Sequence, residues 1–520
     1  MIYKYLIGFL LLIALKSFSQ SSDIKILHKE KAIGENLLTQ TEIRATEYLF
    51  PDRIHHSHID TSSGLLTIQL RGLSKNGKRL KTIGKIVLYD INNKKVKWTK
   101  KMLYHTSHLQ QFNNTLIHTV EKKSFCLNIE NGENQWELKN NIYFVDPINN
   151  IGLGYKYKNS TGYTNTLEGV DLSNGNVIWQ KKLNREYGWN DIFYINDSTL
   201  IVVAAGLHAI NIKNGTGWDY NTITGEKDYT GTVAANALGV VAGLLTGAFV
   251  MSTGHNLVRD VVSNVLIDST DIYFASKERL ARINKSNGIV VWTHPIPNDL
   301  ASKSSIFMKN SSIYMINKGH AFMGYRHLDF GTPFIAAFDK ETGKRKFFSI
   351  INTKKDPILG FQIHYDTIYI VFKERISKYS IIDGTQIYKK TYNTEETGEL
   401  MYFVGNHVYI KSKDSTLTSL PLLDTNKIYV FTNTGKTLVL DNQLEITDRI
   451  DYDRLYIYYL STKDNKFIAK GSETTILDIE NREIAKLNAT SDATLIGNKL
   501  YDIQEKSFLE IDLSEIIENE

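Results

Sequence analysis

One short phrase recurs along this chain and constrains its fold more than any other feature. In its fullest form it runs Ala337, Phe338, Asp339, Lys340, Glu341, Thr342, Gly343 and then Phe347. An acidic or amide residue opens it, a glycine follows four positions later, and a large aromatic four after that. It returns as Asn128/Gly132/Trp136, Asp171/Gly175/Trp179, Asn284/Gly288/Trp292 and, more loosely, Ser380/Gly384/Tyr388. Asn211/Gly215/Trp218 is one residue short at its end, and Asp90/Trp98 carries Lys94 where the glycine would stand. Most spacings are about forty residues, the period of a four-stranded propeller blade. The expected fold is all-β: a single β-propeller of four-stranded blades, eight by the spacing, with seven and nine as alternatives.

Residues 265–294 show how one unit is built. Ile272 to Ala275 reads as a buried strand. Arg279 to Ile283 alternates polar and apolar residues, as a half-buried strand does. Asn287-Gly288 reads as a two-residue turn, because both residue types tolerate positive φ. Val290, Val291 and Trp292 open the next strand. Each phrase is thus the last hairpin of a meander. One such blade cannot cover both its faces alone, and neighbours around an axis cover them together. Ile272 to Trp292 also aligns with Ile368 to Tyr388 at a constant offset of 96, matching Lys277-Glu278-Arg279 to Lys373-Glu374-Arg375. Both triplets read as solvated turns between strands.

The phrase resembles the repeat of PQQ-binding-like (quinoprotein-type) β-propellers, A-x-D-x-x-x-G-x-x-x-W. The resemblance covers roughly residues 45 to 515. It implies that Trp98, Trp136, Trp179, Trp218, Trp292, Phe347 and, in the looser phrase, Tyr388 are anchors docking each blade on its neighbour. It does not imply a quinone, since many members bind none. Enzymes of this kind use a calcium site, acidic catalytic residues and often a vicinal disulfide. The single cysteine, Cys126, rules out the disulfide. No cluster matches the calcium or quinone ligands residue by residue, so no cofactor is expected. Cys126 lies between Phe125 and Leu127 and reads as a small buried hydrophobe.

Residues 1–19 read as a secretory signal peptide, with Lys4 in a positive start, an apolar stretch from Leu6 to Leu15, and Ser17-Phe18-Ser19 before cleavage at Gln20. No cysteine stands near that site, so lipoprotein anchoring is not expected. The location expected is the periplasm or the outer-membrane periphery. Residues 20–42 read as a polar lead-in and 43–515 as the propeller. Losing Lys4 and Lys16 takes the formal charge from +5 to +3, too little to argue for a nucleic-acid partner.

An apolar insertion, 221–260, interrupts the repeats. Thr232 to Met251 is nearly uncharged, and Gly239, Gly243 and Gly247 recur every four residues along one face of an expected helix. Small residues at that spacing allow close helix contact. Three fates are open to it: packing on the propeller's own face or in its channel, self-association or partner docking, and membrane contact through 232–251. His255, Arg259 and Asp260 follow and could cap or orient the segment.

Catalytic chemistry is hard to find. His56, His58 and Asp60 would share one side of a strand, and two histidines with a carboxylate can hold zinc or iron. A polar strand face near the N-terminus is the plainer reading of them. No phosphate loop, nucleophile elbow or zinc-protease helix is present. The leading expectation is a non-enzymatic binding or assembly scaffold in the bacterial envelope, with unidentified envelope proteins as partners. The repeat type includes an accessory subunit of the outer-membrane β-barrel assembly machinery. The alternatives are a quinoprotein-like enzyme or small-ligand binder, and a membrane-associated envelope protein.

Overall fold

A computed structural model describes residues 24–517 except 61, 105–106, 113–114, 159–161, 188–190, 229–255, 324–325, 352–355, 405–406, 412–416, 422–425, 451–457, 462–465, 471–472, 479, 481 and 491–492. Among the described residues the one helix is a single turn, Thr394–Thr397, in a link between blades. Nearly all described strands pair antiparallel, most of them in groups of four; His407–Lys411 with Tyr458–Ser461 is a parallel pair. Four consecutive meanders span Arg53–Asp60 to Lys95–Leu103, Ser107–Phe112 to Asn134–Leu138, Asn140–Asp146 to Val177–Lys182, and Asp191–Asn196 to Asp219–Asn221. Four more span Leu266–Ile267 to Val290–Pro295, Ser304–Lys309 to Arg345–Ile350, Gly360–His364 to Gln386–Thr391, and Leu400–Phe403 to Ile446–Ile450. The protein is a β-propeller of four-stranded blades.

The two ends of the chain meet in one eleven-stranded sheet. Thr494–Ile496, Lys499–Ile503 and Ser507–Asp512 take Thr41–Leu49 as their fourth strand, in a register running from Ala45 opposite Ile511 to Leu49 opposite Ser507. Joining the first strands to the last removes exposed sheet edges. Leu27–Asn36 then pairs with both Thr41–Leu49 and Glu483–Leu487, stitching two four-strand runs together. Hydrogen-bonded sheets and blades therefore do not correspond one to one. The lead-in expected over 20–42 is corrected here, because Leu27–Asn36 is already a strand. Its sequence is mostly polar and exposed, and only Ile33 and Asn36 turn fully inward, so it carries little hydrophobic pattern.

The phrase is a tight side-chain-braced turn. In Asn284–Gly288 the Asn284 Oδ1 accepts the backbone N–H of Ser286 (3.1 Å), Gly288 N–H donates to the Asn284 carbonyl (2.9 Å), and Asn284 N–H donates to Ile289 (2.8 Å). Asn and Asp form such turns because their short side chains reach the backbone two residues on. Only Gly288 takes positive φ, at 74°; Asn287 does not. The two-residue turn expected there is thus a five-residue one, with a bulge between Arg282 and Ile283 on the paired strand. Lys94 replaces the glycine of the first phrase and takes the same left-handed backbone, at φ 51°.

The glycine serves the neighbouring blade as well. A Cβ on Gly132 would lie 2.7 Å from the Trp98 ring, on Gly175 2.7 Å from Trp136, and on Gly215 2.7 Å from Trp179. On Gly288 and Gly343 it would lie 2.6 Å from Trp218 and Trp292, and on Gly384 2.5 Å from Phe347. Each phrase tryptophan also donates its indole N–H to a carbonyl of the next blade: Trp98 to Ile129 (2.9 Å), Trp136 to Leu172 (2.9 Å), Trp179 to Ile212 (2.7 Å), Trp218 to Lys285 (3.0 Å) and Trp292 to Lys340 (3.0 Å). Burying the ring and its one donor together satisfies both halves of the side chain. The short phrase still docks, because Gly217 bends the chain at φ 152°, where a Cβ would meet the Ala209 carbonyl at 2.0 Å. Tyr388 departs from the set and is exposed. Tyr392, four residues on, is buried instead and donates its hydroxyl to Leu444 of the next blade at 2.8 Å.

Candidate functional site

One sheet does not belong to any blade. It joins Gly225–Asp228 and Asn256–Arg259, which flank the centre of the insertion, to His320–Met323 and Arg326–Asp329, a hairpin carried between Ser312–Asn317 and Phe334–Asp339. Strand direction alternates within each meander, so links between blades and links between second and third strands leave from the same end of the propeller. Both arms therefore rise from one end. Val258 pairs with Met323 and Arg259 with Phe322. Beneath them Val258, Val261 and Ala321 are buried in a core shared with Tyr273, Leu280 and Phe334.

The root of this sheet is clamped by polar groups. Thr224 donates to the Ala204 carbonyl (2.8 Å) and Val261 N–H to Thr224 (3.1 Å). Thr222 Oγ1 bonds Ser276 Oγ at 2.8 Å. Lys277 donates its backbone N–H to Ile223 (2.9 Å) and pairs its ammonium with Glu226 (2.6 Å). Lys227 reaches Glu186, before the Asp191–Asn196 strand, at 2.5 Å. The Lys-Glu-Arg triplet at 277–279 is therefore a clamp, not a solvated turn. The matching triplet is also engaged, Lys373 with Glu399 at 2.7 Å and Arg375 with Asp356. Internal alignment could not show this, because the partners lie outside the aligned segment.

Asp260 holds a left-handed backbone, φ 69°, where the arm turns back into the propeller, and pairs with Lys303. Lys303 in turn lies over the Phe322 ring at 5.3 Å. His320 is buried with its ring 4.1 Å from that of His327. Burial, helped by the neighbouring cations, pushes the His320 imidazole down to about 3, so it is neutral at ordinary pH. Glu226, Arg326, His327 and Asp329 are exposed, and the sheet offers a mixed-charge surface.

The other expected residues are not drawn together. Asp60 is buried, and its carboxylate accepts the hydroxyls of Ser62 (2.6 Å) and Ser63 (2.7 Å); His56 and His58 are exposed. Among the described residues no group of three or more His, Cys, Asp or Glu is arranged to hold a metal ion. Cys126 is buried, and its thiol contacts Gln135 Oε1 at 3.2 Å. Arg259 and Asp260 stand at the root of the accessory sheet. Gly239, Gly243, Gly247, His255 and the 232–251 segment lie outside the described residues, as does the signal peptide. Among the described residues no helix is long and apolar enough to cross a membrane. The hairpin at 320–329 was missed by sequence reasoning. Its trace is the spacing from Asn284 to Asp339, longer than between any other neighbouring phrases outside the insertion.

Residues 79–294 match the family model described as outer membrane protein assembly factor BamB. A comparison with curated proteins returns no match. Among solved structures, BamB from Moraxella catarrhalis is 11% identical, covering 73% of this chain and 96% of its own, with a TM-score of 0.32. Saccharomyces cerevisiae Sqt1 is 10% identical, covering 81% of this chain and 99% of its own, with a TM-score of 0.33. The braced turn, its glycine and the docked aromatic, with the family match over the same stretch, identify residues 79–294 as PQQ-like β-propeller repeats.

Proposed function

We propose that this chain is an exported, non-catalytic β-propeller that acts as a binding or assembly scaffold in the bacterial cell envelope. The observation that carries the reading is the match of 79–294 to the outer membrane protein assembly factor model. The accessory sheet supports it with a rigidly rooted, mixed-charge surface at one end of the ring. By this reading the protein works in the periplasm or at the outer-membrane periphery, with envelope proteins as partners. The insertion carried by the Gly225–Asp228 and Asn256–Arg259 arm of the accessory sheet is the element that meets them. The test has two parts. Mass spectrometry of the mature protein should find an N-terminus at Gln20. Depletion in the native host should lower the level of folded outer-membrane β-barrel proteins, and replacing residues 229–255 by a Gly/Ser linker should do so with the propeller intact. Unchanged β-barrel levels on depletion would sink the assembly role.

A further inference from the structure

A slot of about 350 Å3 lies between the Trp98 blade and the next, with Lys100 on one wall and His118, Val120, Phe125 and Asn134 on the other, and with Glu121, Lys122 and Lys123 at its rim. Lys100 stands two residues after Trp98 and shares its strand face, which also carries buried Met102. Its ammonium donates to the Gly132 carbonyl (2.8 Å) and Asn134 Oδ1 (2.9 Å), both neutral. Among the described residues no carboxylate lies within ion-pair distance of it. Burial pushes this ammonium below the usual lysine range, with the more distant Glu133 opposing. His118 is 4% exposed, and its Nε2 has no hydrogen-bond partner. A buried polar atom left in this way is costly and calls for an explanation.

The slot two blades on shows what a counter-ion does in such a place. Lys181 also stands two residues after its tryptophan, Trp179, and also reaches a carbonyl of the next blade, Ala209, at 3.3 Å. There Asp219 sits 3.2 Å from Lys181 and 2.8 Å from Nδ1 of buried His208, so one carboxylate joins the cation to the imidazole. Asp219 pairs with His208 across the ladder. The matching ladder pair in the first slot is Glu137 with Phe125, and the Glu137 carboxylate is held by Lys123. His208 Nε2 is unpartnered just as His118 Nε2 is, so the slots differ in their carboxylate: one carries its own counter-ion on both lysine and imidazole, and the other carries a half-buried cation without one, and room.

We propose that the Lys100–His118 slot binds a small organic carboxylate, its anionic end on Lys100 and His118 and its apolar part against Val120 and Phe125. Burial, with Lys100 nearby, pushes the His118 imidazole down to about 4, so the neutral ring offers the anion an N–H donor and no charge. Lys123 is paired with Glu137 and Lys122 is balanced by Glu121 at the rim, so the positive charge offered to the anion is that of Lys100. A carboxylate with a short apolar tail fits the mixed lining better than a compact, strongly hydrated phosphate.

Calorimetric titration of the mature chain with hexanoate, hexanamide and inorganic phosphate at neutral pH tests this. Saturable one-to-one binding of hexanoate is expected, with binding of the amide at least tenfold weaker. Lys100→Met should weaken hexanoate at least tenfold, and Lys181→Met should leave it unchanged. Equal binding of acid and amide, binding of phosphate alone, no saturable binding, or indifference to Lys100→Met would each overturn the assignment. The acid-against-amide comparison uses the unaltered protein and stands even if a variant folds poorly.

Discussion

The seams between the phrase-bearing blades and the seam that closes the ring solve one packing problem in two ways. From Trp98 to Trp292 each seam is one indole seated on one glycine, with one N–H donated across. At the closure Tyr48 stacks on Phe508 at 4.3 Å, and Tyr89 meets both edge-on. The Tyr48 hydroxyl donates to buried Glu510 at 2.6 Å, and Lys499 also holds that carboxylate. A repeated seam concentrates its specificity in two residues that recur at a fixed spacing. A seam made once spreads it over residues from both ends of the chain. The first is robust to changes elsewhere and fragile at its aromatic. The second should be graded.

The comparison can be broken most forcefully at Trp179. Trp179→Ala should destabilise by about 3–5 kcal/mol, the usual cost of truncating a buried large aromatic, measured as a shifted denaturation midpoint. A midpoint equal to wild type would remove the docking role. Gly215→Ala should follow at about 2 kcal/mol, since left-handed backbone costs a non-glycine residue roughly 1–2 kcal/mol and the new Cβ must also move the Trp179 ring. Lys94 shows that the backbone alone tolerates a side chain, so a much smaller loss at Gly215 would mean that the ring yields freely. Tyr48→Phe keeps the closing stack and removes one donor to Glu510, and should cost about 1–2 kcal/mol. A loss as large as that of Trp179→Ala would show that the closure is not graded.

The smallest effect belongs to the braced turns. Hydrogen bonds from Ser173, its hydroxyl first, hold Asp171 below the ordinary carboxylate range, with burial opposing and Asn174 helping. Its folded pKa is depressed, so its contribution is present above the unfolded value, about 3.9, and is lost as pH falls through the lower folded value. Asp171→Asn should therefore lower stability at pH 7 and converge on wild type as the pH drops below about 3.9. A constant gap across that range would place the effect elsewhere.

What the sequence showed and what it hid follow from distance along the chain. The phrase was legible because its turn, glycine and aromatic lie within nine residues and its docking partner is the next copy of itself. Its turn type was misread because Asn-Gly suggests a two-residue hairpin, whereas the brace comes from Asn284, three residues before Asn287. Tyr388 fitted the spacing, yet Tyr392 makes the crossing, since a loose phrase leaves the strand register free to decide. The closing strand Leu27–Asn36 was hidden by its charges. The pairing of Tyr48 with Glu510 joins residues 462 positions apart, beyond any local pattern. The accessory sheet was half legible: the insertion announced one arm, and the arm at 320–329 left only a long spacing. The Lys100–His118 slot was invisible, because its meaning comes from comparison with another seam.

From Trp98 to Phe347 each phrase aromatic docks on the glycine of the next blade, even where an insertion intervenes. A double-mutant cycle between Trp218 and Gly288, which face each other across that interruption, tests it most directly. Gly288→Ala should cost less in a Trp218→Ala background than in wild type, because the ring that its Cβ strikes is gone, while the backbone strain is common to both. The expected coupling is about 1 kcal/mol or more, within the range seen for residues in contact. Strict additivity of the two substitutions would contradict the account.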